Sequence, residues 1–349
     1  MNYTNVFLAS IGFELAPVVV TSAELEGRLA PLYRALRISA GQLEALTGIT
    51  ERRWWNENPS LSEAAAAAGR KALAKSELEG KDIQTLIYAG VCRENYEPAT
   101  ACAVASMLGI GGDAFVYDIS NACLGVLNGI IDIANRIELG QITAGMVVSC
   151  ESAREINDVM ICKMLADPTM GMFTQSLATL TGGSGAVAVV LTHKSLSRDK
   201  RRRLLGATAH SAPQHHRLCR WGVALGANPA EGLSQFMATD SVAVLKHGVE
   251  LGTRTWKAFL SKLEWTADQV DKIICHQVGH GHRNTILKEL GVAAEKDFST
   301  FPYLGNIGTV SLPLTAALAE QRQFLKAGDR VGFLGIGSGL NCLMLGWEW

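Results

Sequence analysis

Cys123, in "YDISNACLGVLNGIIDIA", follows an apolar run that reads as a strand and precedes a stretch that reads as a helix. Gly125 leaves room for close approach. A thiol at a helix N-terminus feels the positive end of the helix dipole and its unpaired N–H groups, which favour the thiolate. That is the placing a nucleophilic cysteine needs. Most free cysteines are small buried hydrophobes, and spacing alone leaves that reading open. His276, in "IICHQVGHGHRNTI", ends another strand, at the rim where open parallel sheets collect ligand sites. His280 and His282 follow at a spacing that could suit zinc, but no carboxylate or cysteine nearby completes a ligand set, so no metal is expected. Asn306, in "PYLGNIGTVSLP", occupies a Gly-flanked turn before a helix, where asparagine commonly serves only the turn. The run "GFLGIGSGLNC" is a glycine-rich turn whose amides at Ser338 and Gly339 could face an oxyanion. It lacks the GK[ST] of a phosphate loop. Glu97, in "RENYEPATACAVASMLG", stands between Tyr96 and Pro98 at the mouth of a small-residue helix. It either solvates a loop or acts as a base.

The elements that must position these residues repeat. "IQTLIYAGV" and "VDKIICHQV" read as buried strands, each followed by a helix ending in Leu-Gly. A loop with asparagine comes next, then the long helices "CLGVLNGIIDIANRIELGQ" and "GTVSLPLTAALAEQRQFLKAGD", then the strands "AGMVVSCES" and "RVGFLGIGSG". The two series match at an offset of roughly 185 residues, which predicts an α/β chain of two halves with like topology. The expected division is 1–193, with the cysteine, and 194–349, with the histidine and asparagine. In the second series Asn306 stands where Cys123 stands in the first. Two segments fall outside the repeat. Residues 153–180 carry Met160, Met164, Met170, Met172 and Phe173 without a strand period. Flexible thioethers suit an adaptable wall for an alkyl chain, and equally suit ordinary core filling. Residues 194–235 are polar, and their KRRR run (200–203) reads as a solvated loop or, less readily, a phosphate contact.

Composition excludes several classes. A net charge of −1 gives no electrostatic reason for a nucleic acid or anionic membrane partner. No apolar stretch is long enough to span a bilayer, and the N-terminus has no charged n-region before Glu14. Eight scattered cysteines without CxxC pairs fit reduced thiols and a cytoplasmic setting.

The order of cysteine, histidine and asparagine across a duplicated α/β chain resembles the thiolase-fold condensing enzymes, in particular the ketoacyl-ACP synthase III group. The resemblance runs from "LTGITERRWW" (46–55) through "ISNACLG", "LTGGSGAVAVV", "HQVGHGHR" and "GNIGTVSLP" to "GIGSGLN". It implies a five-layered αβαβα fold, an obligate homodimer, and an acyl-transfer and Claisen triad at Cys123, His276 and Asn306. The amides of Cys123 and Ser338 would stabilise the oxyanion. Two departures are informative. The histidine motif reads HQVG where the fatty-acid-initiating synthases have HQAN, and Glu97 replaces the aromatic they place before the same proline. That glutamate is similar to the OleA branch, whose members join two long-chain acyl-CoAs head to head to a β-keto acid destined for olefins. There it reaches in from the partner subunit as the base. Coenzyme A thioesters would be substrates, and no cofactor is implied. Leu46 stands where the family has a phosphopantetheine-contacting arginine. The alternatives are a synthase III using malonyl-ACP, an acyl-CoA thioesterase, and a non-catalytic subunit of a condensing complex.

Overall fold

The computed structural model describes residues 1–197, 201–225 and 232–349. Its strands are β1 (Val6–Leu15), β2 (Val18–Thr21), β3 (Glu51–Trp54), β4 (Thr85–Ala89), β5 (Phe115–Ile119), β6 (Ala144–Glu151), β7 (Gly185–His193), β8 (Arg203–Ser211), β9 (Cys219–Leu225), β10 (Leu233–Thr239), β11 (Lys272–Cys275), β12 (Arg330–Gly337) and β13 (Asn341–Glu348). Its helices are α1 (Ser22–Arg28), α2 (Ala30–Leu36), α3 (Gln42–Thr47), α4 (Leu61–Ser76), α5 (Thr100–Leu108), α6 (Gly125–Glu138), α7 (Arg154–Ala166), α8 (Met170–Ser176), α9 (Ser241–Leu263), α10 (His280–Leu290), α11 (Phe301–Leu304) and α12 (Ser311–Gln321).

Nine strands form one sheet in the order β11-β12-β13-β8-β1-β7-β6-β4-β5. The order is a duplication read outward from the middle. From β1 the pairing runs antiparallel to β7, antiparallel to β6, then parallel to β4 and β5. From β8 it runs antiparallel to β13, antiparallel to β12, then parallel to β11. The last strand of the second half is reduced to a parallel bridge between Ile273 and Asp297. The halves meet where the N-terminal segment runs antiparallel to β8, with Phe7 opposite Arg203 and Asn2 opposite Gly206.

Strand alternation sorts the buried side chains into layers. Along β7, Val187, Val189 and Leu191 face the central core, while Ala186, Ala188 and Val190 face an outer one. Along β13, Leu343, Leu345 and Trp347 face the central core, and Cys342 and Met344 an outer one. The central core holds α6 and α12, and every residue of α12 from Ser311 to Ala319 is buried. A helix enclosed on all sides belongs between sheets. α4 and α5 cover the outer face of the first half, and α9 and α10 that of the second. The layering is αβαβα.

Two expectations change here. Lys200 lies outside the described residues and Arg201 is exposed outside regular structure, but the two arginines that follow are engaged. Arg202 pairs with Glu320 at 3.0 Å and donates to the Ala9 carbonyl, and Arg203 opens β8 and pairs with Glu348. Second, the polar stretch after β8 folds back as the β9–β10 hairpin, a two-stranded sheet of its own. All eight cysteines are free. Among the described residues no helix is long and apolar enough to cross a membrane.

Candidate active site

Cys123, His276, Asn306 and Ser338 line one cavity of about 750 Å³. Each comes from the corresponding rim of the two halves. Cys123 follows β5 and precedes α6, whose first residue is Gly125. Ala122 before it holds the left-handed conformation, φ 45°, which few residues with a side chain adopt and which turns the chain sharply at the thiol. His276 follows β11, Asn306 follows α11, and Ser338 follows β12. Gly337 brings the end of β12 against the cysteine turn. A Cβ there would stand 3.2 Å from Leu124 Cγ and 3.4 Å from the Cys123 backbone N. Without one, the β12 turn lies against Cys123.

Three side chains that the sequence reading did not single out tie this geometry down. Gln277 is buried beside His276. Its Oε1 accepts from Thr300 N, Phe301 N and Ser299 Oγ, and its Nε2 donates to the Cys275 carbonyl. It thus clamps the histidine strand end to the segment leading to Asn306. Thr309 Oγ1 accepts from Val126 N at 2.7 Å, joining the asparagine turn to the first turn of α6. Glu151, the last residue of β6, is buried at the cavity wall. A carboxylate closing an otherwise apolar strand was a readable signal; nothing in the sequence marked Thr309. Asn306 itself is held through Oδ1, which accepts from Gly308 N at 3.0 Å. That leaves its Nδ2 donor for the cavity.

The electrostatics differ from the expectation at the cysteine. Burial, followed by the charges of Cys219 and Glu151, pushes the Cys123 thiol up to about 12. The proximity of a helix N-terminus does not offset that burial. The resting nucleophile is a neutral thiol, not a thiolate. His276 is pushed the other way, down to about 4, by burial and then by His282. It is a neutral imidazole whose Nδ1 is buried without a partner. A neutral base beside a neutral thiol can take the proton as the sulfur attacks.

The remaining wall is apolar, and its origin corrects the sequence reading. Met160, Met164 and Phe173 are buried, with Met164 and Phe173 in a separate core with Leu25, Leu32 and Trp54. Met172 packs at the edge of that core, and Met170 is exposed. None of the five lines the cavity. α7 and α8 turn Met164 and Phe173 toward α1 and α2, where they fill a core. The wall comes instead from Trp221, Phe236 and Met237 of the hairpin and from Val244, Gly248 and Gly252 of α9, with Leu46 at its edge. His280 and His282 also line the cavity, and His280 bonds Asn284 at 2.9 Å. Glu97 is outside the cavity of its own chain. It is exposed, beside Tyr96, on the segment between β4 and α5.

A layered duplication with this cavity matches known proteins over its whole length. The sequence profile of the thiolase N-terminal domain matches residues 45–220, and that of the 3-oxoacyl-[acyl-carrier-protein] synthase III C terminus matches residues 260–349. An acyl-CoA:acyl-CoA alkyltransferase of Shewanella oneidensis is 59% identical, with all of both chains covered. The chain belongs to the acyl-CoA:acyl-CoA alkyltransferase (OleA) family of thiolase-fold condensing enzymes. A second OleA-family alkyltransferase, from Xanthomonas campestris pv. campestris, is 35% identical over the whole of both chains. The Xanthomonas campestris OleA structure with bound lauric acid and lauroyl-CoA superposes with a TM-score of 0.92, at 34% identity over 99% of this chain and 100% of that one. Solved OleA variants from the same organism carry replacements at one cysteine, one glutamate and one histidine.

Proposed function

We propose that this chain condenses two long-chain acyl-CoAs head to head, without decarboxylation, to a 2-alkyl-3-oxo acid. The carrying observation is that Cys123, His276 and Asn306, from both halves, converge on one cavity whose remaining wall is largely apolar. As Cys123 attacks the first thioester carbonyl, its proton passes to the neutral His276. The tetrahedral oxyanion sits on the Cys123 and Ser338 amides, and the departing CoA sulfur takes the proton back. The second acyl-CoA then places its thioester oxygen between His276 and Asn306 Nδ2, which stabilise the enolate. A malonyl donor makes its carbanion by losing CO₂; a plain acyl-CoA must lose an α-proton, and that needs a base. Glu97 of a second copy is that base. The resulting carbanion attacks the acyl-cysteine carbonyl and expels the Cys123 thiolate, which is reprotonated at the expense of the proton taken by Glu97, and water then hydrolyses the β-ketoacyl-CoA to the acid and CoA.

The homodimer is supported by the surface around Glu97. β5 pairs with β4 on one side only and ends the sheet. Phe115 on it is 58% exposed, Met107 of α5 43%, and Tyr96 beside Glu97 90%. An uncovered edge strand with apolar neighbours is a surface that a second copy would close.

Myristoyl-CoA supplied alone tests the reading. A β-keto acid, or the ketone it decarboxylates to, seen by mass spectrometry is the expected product. Product only with malonyl-ACP would make the protein a synthase III, and free fatty acid alone a thioesterase. Glu97→Ala is expected to acylate on Cys123 and fail to condense. Full condensation by that variant removes Glu97 from the mechanism.

A further inference from the structure

β6 is buried throughout and ends in a carboxyl that the triad chemistry leaves unused. A buried carboxyl needs hydrogen-bond donors, and those of Glu151 are backbone amides. Oε1 accepts from Val91 N at 2.9 Å and Oε2 from Cys92 N at 3.1 Å. These two amides open the segment from β4 to α5, the segment that carries Glu97. Its far end is held in the same manner. Asp118 of β5 accepts from Thr100 N and Ala101 N, both at 2.9 Å, in the first turn of α5. Between the anchors Glu94 accepts from Ser62 N at 2.8 Å, while Tyr96 and Glu97 project outward. On its other side the Glu151 carboxyl meets the asparagine turn. Gly308, φ 54°, lies against it, so that a Cβ there would stand 3.5 Å from both Cδ and Oε1. One side chain therefore touches the root of the Glu97 segment and the turn that carries Asn306.

We infer that Glu151 is a positioning residue for the condensation half of the reaction, fixing the root of the 91–99 segment so that Glu97 stands at its station. The inference rests on Glu97 being the base. No proton moves to or from Glu151 in this role. What it supplies is two acceptors on one rigid strand end, aimed at two adjacent amides. Glutamine is almost the same size but replaces one acceptor by an N–H, which then opposes an amide N–H. Aspartate keeps both acceptors and shortens their reach by one carbon.

The test is a double-mutant cycle on the full-length protein with myristoyl-CoA. Wild type, Glu151→Gln, Glu97→Asp and the double variant are each read twice: the first-turnover burst of free CoA for acylation, and β-keto acid for condensation. Glu151→Gln is expected to slow condensation at least tenfold more than it slows the burst. In the double variant the two condensation losses should fail to multiply, by threefold or more, because both act on the placing of one carboxylate. Losses that multiply, or equal loss in burst and condensation, overturn the inference. Full condensation by Glu97→Ala would instead defeat the base itself, a separate outcome. If thermal melting shows that Glu151→Gln does not fold, Glu151→Asp takes its place in the cycle and is judged by the same two criteria.

Discussion

The neutral state of Cys123 makes a measurable statement about the resting protein. A thiol near 12 is ionised at pH 7.5 in roughly three parts in 100,000, against about one in ten for an ordinary cysteine near 8.5. Thiolates of higher pKa are more nucleophilic, with a Brønsted slope of about 0.45, which returns roughly 1.5 of those 3.5 decades. Iodoacetamide should therefore label Cys123 on the order of 100-fold more slowly than an exposed cysteine at pH 7.5. Cys102 and Cys162 are exposed and serve as internal standards in the same digest. Access to the cavity lowers the absolute rate but not its pH slope. Labelling of Cys123, quantified by peptide mass spectrometry, should rise about tenfold per pH unit from 7 to 10 without levelling. A Cys123 profile that levels between pH 6 and 7, with labelling faster than Cys102, would reveal a preformed thiolate–imidazolium pair and refute the reasoning.

Three further outcomes follow from the same geometry. His276 lies near 4 in the folded chain, so between about pH 4 and 6.5 the unfolded chain binds a proton the folded one does not, and stability falls as pH drops through that window. Burial raises Glu151 and Asp297, whose contribution is full at low pH and is lost as pH rises, so the histidine must be isolated by difference. Urea unfolding should show wild type losing about 3 kcal/mol more than His276→Asn between pH 7 and 4; equal losses would contradict the burial. Gln277→Leu strands two amides and a carbonyl and should cost about 3–5 kcal/mol in urea melts, with an unchanged midpoint arguing that water replaces it. Trp221→Ala, which enlarges the cavity at the hairpin, should shift preference toward longer acyl-CoAs in competition assays, whereas Met164→Ala should destabilise by about 2–5 kcal/mol without moving that preference.

Much of the layered duplication could be read from the chain because buried strands and helices announce themselves by period and length. The strands at 83–91 and 270–278 and the two long helices were all placed by their apolar runs. Cys123, His276, Asn306 and Ser338 were legible for a related reason: each stands where a strand or turn ends, and rims of parallel sheets collect side chains. The acyl wall was misread because composition does not carry direction. Met160, Met164 and Phe173 suit a channel or a core equally well, and the packing of α7 and α8 against α1 and α2 decides between them. The cavity wall lies instead in the β9–β10 hairpin, whose first strand lay inside a stretch read as polar, and there Trp221, Phe236 and Met237 turn inward. The charge state of Cys123 was misjudged because a helix terminus is visible in sequence and the burial that overrides it is not.

Among the described residues the two half-sheets join only along the short run from Asn2 to Leu8 against β8, and the shared middle layer completes their union. α6 comes from the first half and α12 from the second, and each meets the other half there: Leu124 and Leu127 lie against Gly335 of β12, and α12 packs on β1 and β7. During synthesis the first half leaves the ribosome with α6 uncovered, an oily stripe that waits for more than a hundred further residues before its cover arrives. Such a chain invites chaperone capture, and a truncated product would expose that stripe permanently. The same dependence ties quality control to chemistry. Cys123 rides on one half, and His276, Asn306 and Ser338 on the other, so under the proposed mechanism a half-folded chain would hold a nucleophile without its base and acylate nothing.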